Sequence, residues 1–202
     1  MRLVIARDSV RRILRWTQRV LFFAAASLLA YCAFVMIDAW NFQRVARRQL
    51  ENLPQVHHEA AFRSPLEEAS PAISGDLMGL IRIPRLGMSV VVIEGTSAKV
   101  LRRGVGHIPG TALPGHPGNV GISGHRDTFF LPLEGIRVHD IITLTTLLGE
   151  YSYRVMSTSV VTPFDVSVLN QSRSEILTLV TCYPFYFVGS APSRFIVRAE
   201  RV

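Results

Sequence analysis

The chain has 202 residues, 49% of them hydrophobic, two cysteines and a formal net charge of +7, which is the size of one ordinary domain with an additional apolar segment. Residues 1–37 carry +5 of that charge, residues 38–75 carry −1 and residues 76–202 carry +3. A surplus concentrated at the N-terminus excludes a broad nucleic-acid-binding face.

Residues 1–19 form a basic N-terminal segment. From Val20 to Ile37, "VLFFAAASLLAYCAFVMI", no residue is charged, and Arg19 and Asp38 close the run. At about 1.5 Å of rise per residue its length approaches the thickness of a bilayer core, which predicts a transmembrane helix over 20–37. A cleaved signal peptide fits less well, because the run exceeds the usual apolar region and no A-x-A site follows it. "LAYC" at Leu29–Cys32 resembles a lipoprotein cleavage box only loosely, since Tyr31 stands where a small residue is needed. A retained anchor holds Cys32 in the membrane, away from Cys182. Arg2, Arg7, Arg11, Arg12, Arg15 and Arg19 precede the span, whereas Arg44, Arg47 and Arg48 follow it. That asymmetry predicts a cytoplasmic N-terminus and an extracytoplasmic C-terminal domain.

Residues 38–75 read as a stalk of prolines, small residues and mixed charge, with helical patches near Arg44–Leu53 and Leu66–Ala69. His57 and His58 are expected to be solvated. Beyond Asp76 the texture changes to short apolar runs broken by Gly, Pro and Asn. "LMGLIRI", "MSVVVIEG", "VGISGH", "DIITLTTLL", "YSYRVMSTSVV", "ILTLVTC" and "RFIVRAERV" predict a mostly β domain over 76–202, a barrel or sandwich. Val100–Arg103 and Val166–Leu169 are expected to be short helical turns.

The chemistry concentrates in "LTLVTCYPFYFVGSAPSRFIV". Two strand-like segments, Glu175–Cys182 and Arg194–Val202, flank a loop of eleven residues. Antiparallel pairing is the expected arrangement across so short a connection, and it brings Cys182 beside Arg194 at one rim of the sheet. A guanidinium favours the nucleophilic thiolate and offers a planar fork of donors to an oxyanion. Cysteine is also a common core filler, and these two positions alone leave that reading open. Cysteine acyl transfer needs a proton carrier, usually histidine. In "GNVGISGHRDTFF", His125 follows a glycine-flanked apolar run, where a strand would end.

With "TLVTC" at Thr178–Cys182, "GHRDTFF" upstream and an arginine opening "RFIV", residues 76–202 resemble a sortase. "GHRDTFF" and "CYPFYFVG" are most similar to the class D members. One departure is His139 in "VHD", where the family pattern suggests glycine in a "GD" turn. The resemblance implies an eight-stranded β-barrel with short helices. It implies Cys182 as nucleophile, His125 as general acid and base, and Arg194 as oxyanion or substrate stabiliser. Thr181, Asn119 and Tyr183 are expected in supporting or substrate-binding roles, with core packing an equal alternative for Thr181 and the aromatics. The implied reaction cleaves an LPxTG-like C-terminal sorting signal between Thr and Gly through a Cys thioacyl intermediate. The acyl group then passes to an amine of the cell envelope, on a peptidoglycan precursor or a pilin. No cofactor is implied, and calcium modulation is left open.

Two rivals remain. His107, His116 and His125 recur every nine residues, the raw material of a three-histidine zinc metallohydrolase, although His107 and His116 read as loop residues. The other is a non-catalytic surface domain that binds peptide or glycan and has no use for the thiol.

Overall fold

The computed structural model describes residues 7–51, 75–187 and 189–202. The expected helical patch at Leu66–Ala69 and the pair His57 and His58 lie outside the described residues. The chain divides into two compact units, Met1–Asn41 and Phe42–Val202.

One helix, α1 (Arg7–Glu51), contributes to both units. It contains a stretch long and apolar enough to cross a membrane. In the first unit, side chains such as Phe22, Phe23, Leu29 and Phe34 are exposed to about two-thirds or more. A long apolar stretch with such side chains exposed is compatible with a single membrane pass.

The second unit holds the strands β1 (Leu77–Ile83), β2 (Met88–Glu94), β3 (Val105–His107), β4 (Gly118–Gly124), β5 (Ile141–Thr146), β6 (Gly149–Val161), β7 (Glu175–Tyr183) and β8 (Ser193–Arg201). They close into one barrel in the order β1-β2-β3-β4-β7-β8-β6-β5. Alternation fills its interior: Ile81 and Ile83, Val90 and Val92, Val120 and Ile122, and Leu177 and Leu179 share a single buried cluster. Closure also removes the free strand edges on which other chains could pair.

β1 and β2 are apolar on both faces, and the structure gives the reason. Leu80, Val91 and Ile93 point away from the barrel interior into a second cluster with Ala46 of α1 and Val100 of α2 (Ala98–Arg103). Gln43 Nε2 donates to the Arg103 carbonyl at 2.5 Å, and its Oε1 accepts from Val91 N–H at 3.0 Å. Arg47 donates to the Ser89 carbonyl at 2.6 Å. Phe42–Glu51, read from sequence as the start of a stalk, is therefore helix belonging to the unit that holds the barrel.

The expected helical turns are present as α2 and a 3-10 turn at Val166–Leu169. β3 differs from expectation, because its segment reads as loop. It becomes a strand only by lying parallel to β2 and antiparallel to β4. His139 adopts a left-handed φ of 74°, alone among described non-glycine residues, at the turn where glycine was expected.

Candidate active site

Strand direction assembles the site. β4 and β7 run parallel, with Gly124 opposite Thr181 on the last paired rung. One residue further on each chain stand His125 and Cys182. β8 returns antiparallel to β7 and places Arg194 directly opposite Cys182. Two strand ends and one strand start thus bring the three expected residues to the same rim. Cys182 is a free thiol, half-buried like Arg194, whereas His125 is exposed.

The rim is held by buried hydrogen bonds. Thr181, 2% exposed, donates its hydroxyl to the Gly124 carbonyl at 2.8 Å. It ties the residue before Cys182 to the residue before His125. Gly124 tolerates no side chain, because a Cβ there would lie 2.7 Å from the Phe130 ring and 2.8 Å from Val105. Phe130 is fully buried, and its N–H donates to the His125 carbonyl at 3.0 Å. Backbone position at His125 is thereby set from both sides.

Arg194 Nη1 donates to the carbonyls of Ser193 and Ala191 at 3.0 and 3.3 Å. That anchoring uses one of its three nitrogens, and a guanidinium carries five donors in all.

Tyr183 opens an aromatic wall. Its ring stacks on Phe195 at 6.2 Å and meets Phe185 edge-on at 6.0 Å, while Phe185 and Phe195 lie 5.3 Å apart. This wall, with Glu134, Pro184, Tyr186 and Phe187, lines a cleft of about 560 Å³. Tyr186 donates to Glu134 at 2.8 Å, which raises the phenol's pKa above its ordinary value. Arg126, adjacent to His125, donates to the carbonyls of Phe187 and Gly189 at 2.6 and 3.0 Å. Nothing in the sequence reading indicated Glu134, which sits on an unanticipated 3-10 turn, Leu131–Gly135. Arg126 had a signal, its adjacency to His125.

Asn119 is not brought to this rim. It lies at the far end of β4, fully buried, where its Nδ2 donates to the carbonyls of Val168 and Asn170 and its Oδ1 accepts from Thr178. It fastens the β6–β7 connection to the barrel, and its donors and acceptor are consumed in doing so.

The three recurring histidines part company. His107 is a buried strand residue rather than a loop residue, 3% exposed, with Nδ1 2.7 Å from Glu94 Oε2. Its Nε2 lies 3.0 Å from both the Ala112 carbonyl and the Thr111 hydroxyl. His116 is exposed on the loop before β4. Among the described residues no three His, Cys, Asp or Glu side chains gather into a metal-binding group.

Comparison with known proteins agrees with this geometry. The sortase domain family model matches residues 81–202. Sortase D of Bacillus subtilis is 35% identical over 149 residues, covering 73% of this chain and 71% of that protein. The sortase D5 transpeptidase of Clostridium perfringens superposes with a TM-score of 0.60 at 34% identity, over 65% of this chain and 82% of that one. A sortase C of Clostridium perfringens, solved with the C-terminal cell wall sorting motif, gives 0.59 at 31% identity over 64% and 72%. A closed eight-stranded barrel, a cysteine facing an arginine across β7 and β8, and a family match over more than half the chain lead to one conclusion: this chain belongs to the sortase family of cysteine transpeptidases.

Proposed function

We propose that the chain is a membrane-anchored transpeptidase that cleaves an LPxTG-like sorting signal between Thr and Gly and transfers the threonyl acyl group to an envelope amine. In this reading residues 76–202 supply the catalysis and 20–37 the anchor. The arginine surplus before the span keeps the N-terminus in the cytoplasm and the barrel outside.

The Cys182 thiolate attacks the threonine carbonyl carbon. Arg194 donates to the oxygen as negative charge develops there, a role suited to its planar fork. The C–N bond to glycine then breaks, and His125 gives a proton to the departing amine. The product is a thioester on Cys182. An incoming amine attacks it, His125 accepts the amine's proton, and the Cys182 thiolate leaves. Thr181 acts through His125 and Cys182 as a positioning residue. The wall of Tyr183, Phe185 and Phe195 offers an apolar surface to the peptide and limits water at the thioester.

One observation carries this reading: the register that sets Cys182 opposite Arg194, with His125 one residue beyond the Gly124–Thr181 rung. A related sortase C, solved with the C-terminal cell wall sorting motif, supports the substrate class. The test is to incubate the protein with LPxTG-like peptides, with and without amine acceptors, and to follow products by mass. An adduct ending at threonine on Cys182, discharged by amines, is expected. Turnover by Cys182→Ala would remove the nucleophile assignment.

A further inference from the structure

We infer that the barrel docks on the lipid bilayer through the rim opposite the active site, with the β5–β6 turn, Leu147 and Leu148, as the inserted element. This rests on the proposed membrane anchor.

The first ground is strand direction within the second unit. β7 ends at the site rim and β8 begins there, so β6, antiparallel to β8, ends there as well. β5 is antiparallel to β6 and runs away from the site to Thr146, and the turn back into β6 is Leu147-Leu148. β1 begins at this far rim, since Gly79 pairs with Thr146, and β2 ends at it, since Leu77 pairs with Ile93.

The second ground is where the chain joins this unit. Phe42 packs against the cluster of Ala46, Leu80, Val91, Ile93 and Val100 on the outer face of β1 and β2, and the chain reaches it from the far-rim side. From Gln43, bonded to Val91, to Arg47, bonded to Ser89, the helix climbs along β2 towards the site. Only residues 38–41 separate Phe42 from the apolar run ending at Ile37. At a maximum of about 3.5 Å per residue, the chain between Ile37 and Phe42 spans no more than roughly 17 Å. The far rim is therefore tethered close to the bilayer.

The third ground is the turn itself. Leu147 and Leu148 are 59% and 79% exposed. They occupy a two-residue hairpin connection, where turn chemistry favours Asn, Gly and Asp. The turn is nonetheless well formed, with Thr146 Oγ1 accepting from Leu148 N–H at 3.1 Å and donating to the Gly149 carbonyl at 3.2 Å. Two adjacent leucines held out from a fixed turn match an interfacial anchor, which buries apolar side chains at the headgroup boundary. The basic side chains Lys99 and Arg102, exposed on α2 just beyond β2, suit anionic headgroups. With β7 spanning nine residues, the catalytic rim then stands roughly 20–25 Å above the lipid surface, allowing for strand tilt. The proposed peptide carbonyl has to be presented at that height.

The test uses the full-length chain reconstituted in vesicles of phosphatidylglycerol and phosphatidylcholine. Leu148→Trp is placed in a Trp16→Phe, Trp40→Phe background. Phe164→Trp, in the connection after β6 and 90% exposed, is the control at the site rim. Brominated lipids should quench the Leu148→Trp fluorescence strongly and leave Phe164→Trp unchanged, while aqueous iodide shows the reverse. Equal iodide quenching of both, or lipid quenching of Phe164→Trp alone, would overturn the docking. Leu148→Trp shielded from iodide yet untouched by brominated lipid would assign the turn to a protein contact instead, which also overturns it. Release of the chain from vesicles by alkaline carbonate would remove the anchor reading as well. Retention with an unquenched Leu148→Trp removes only the docking.

Discussion

His107 ends β3 and His125 follows the end of the neighbouring strand β4, yet their surroundings differ in kind. His107 is sealed beneath the surface with Glu94, Thr111 and the Ala112 carbonyl, and both its ring nitrogens are engaged. His125 lies exposed at the rim, its backbone fixed by Phe130 and, through Gly124, by Thr181. A buried polar group must be satisfied or it costs stability, so the interior histidine is committed to structure. A rim histidine keeps its ring available while its backbone stays in place, which is what proton transfer requires. The first expectation is thus that substitution of the two will separate activity from stability.

The largest effect belongs to the rim. His125→Ala is expected to lower transpeptidation by roughly 10²–10⁴-fold, and Arg194→Lys, which keeps charge but loses the fork, by roughly 10²–10³-fold. Both proteins should melt within a degree or two of the parent. Near-full activity of Arg194→Lys would reduce the arginine to a source of charge.

His107→Ala should do the opposite. It leaves Glu94 buried without its imidazole, at a cost of about 2–3 kcal/mol, seen as a midpoint drop on the order of 10 °C. Activity per folded molecule, measured well below the transition, should stay near the parent value. A rate loss as large as that of His125→Ala with an unchanged melting point would undo the contrast.

A smaller effect, of opposite sign, is expected at His139. Its left-handed backbone is strained for a residue with a Cβ and unstrained for glycine. His139→Gly should add about 1 kcal/mol in urea titration, with unchanged activity. No gain would mean that the side chain compensates the strain.

The last expectation concerns acid. Arg85 Nε and Nη2 donate to the two carboxylate oxygens of Asp140, the Arg137 N–H donates to one of them, and the Arg85 hydrogen bond holds the carboxyl below its usual value. Because the folded-state value is depressed, the stabilisation is complete above the ordinary aspartate range near about 3.9 and fades as pH falls through the folded value. The difference in melting temperature between the parent and Asp140→Asn should therefore shrink as pH is lowered from 6 towards 2. A constant difference across that range would show that the pair contributes no pH dependence.

Most strands were readable from local pattern. "LMGLIRI" is β1 residue for residue, and "MSVVVIE" is β2. β3 was not, because Val105–His107 is too short to show alternation and pairs only with segments far along the chain. Cys182 facing Arg194 was readable too, since a short loop between two strand-like runs favours an antiparallel register. Asn119, expected in a supporting role, sits six residues before His125 at the other end of β4, and its bonds to Val168 and Asn170 link segments about 50 residues apart, which no local pattern encodes. Glu134 reaches Tyr186 across 52 residues of chain, a proximity that no local pattern encodes.

By itself the sequence determined the apolar span and the periodicity of most strands, and it pointed to the cysteine, histidine and arginine proposed to react. These are local properties, set by side-chain chemistry and by spacing within a few residues. Tertiary structure alone decided that β4 runs parallel to β7, so that His125 arrives at the rim with Cys182. It also decided that His107 is sealed with Glu94, and that Phe42–Glu51 belongs with the barrel. Those outcomes depend on closing eight strands into one barrel, where pairing partners and burial follow from the whole chain rather than from any one segment.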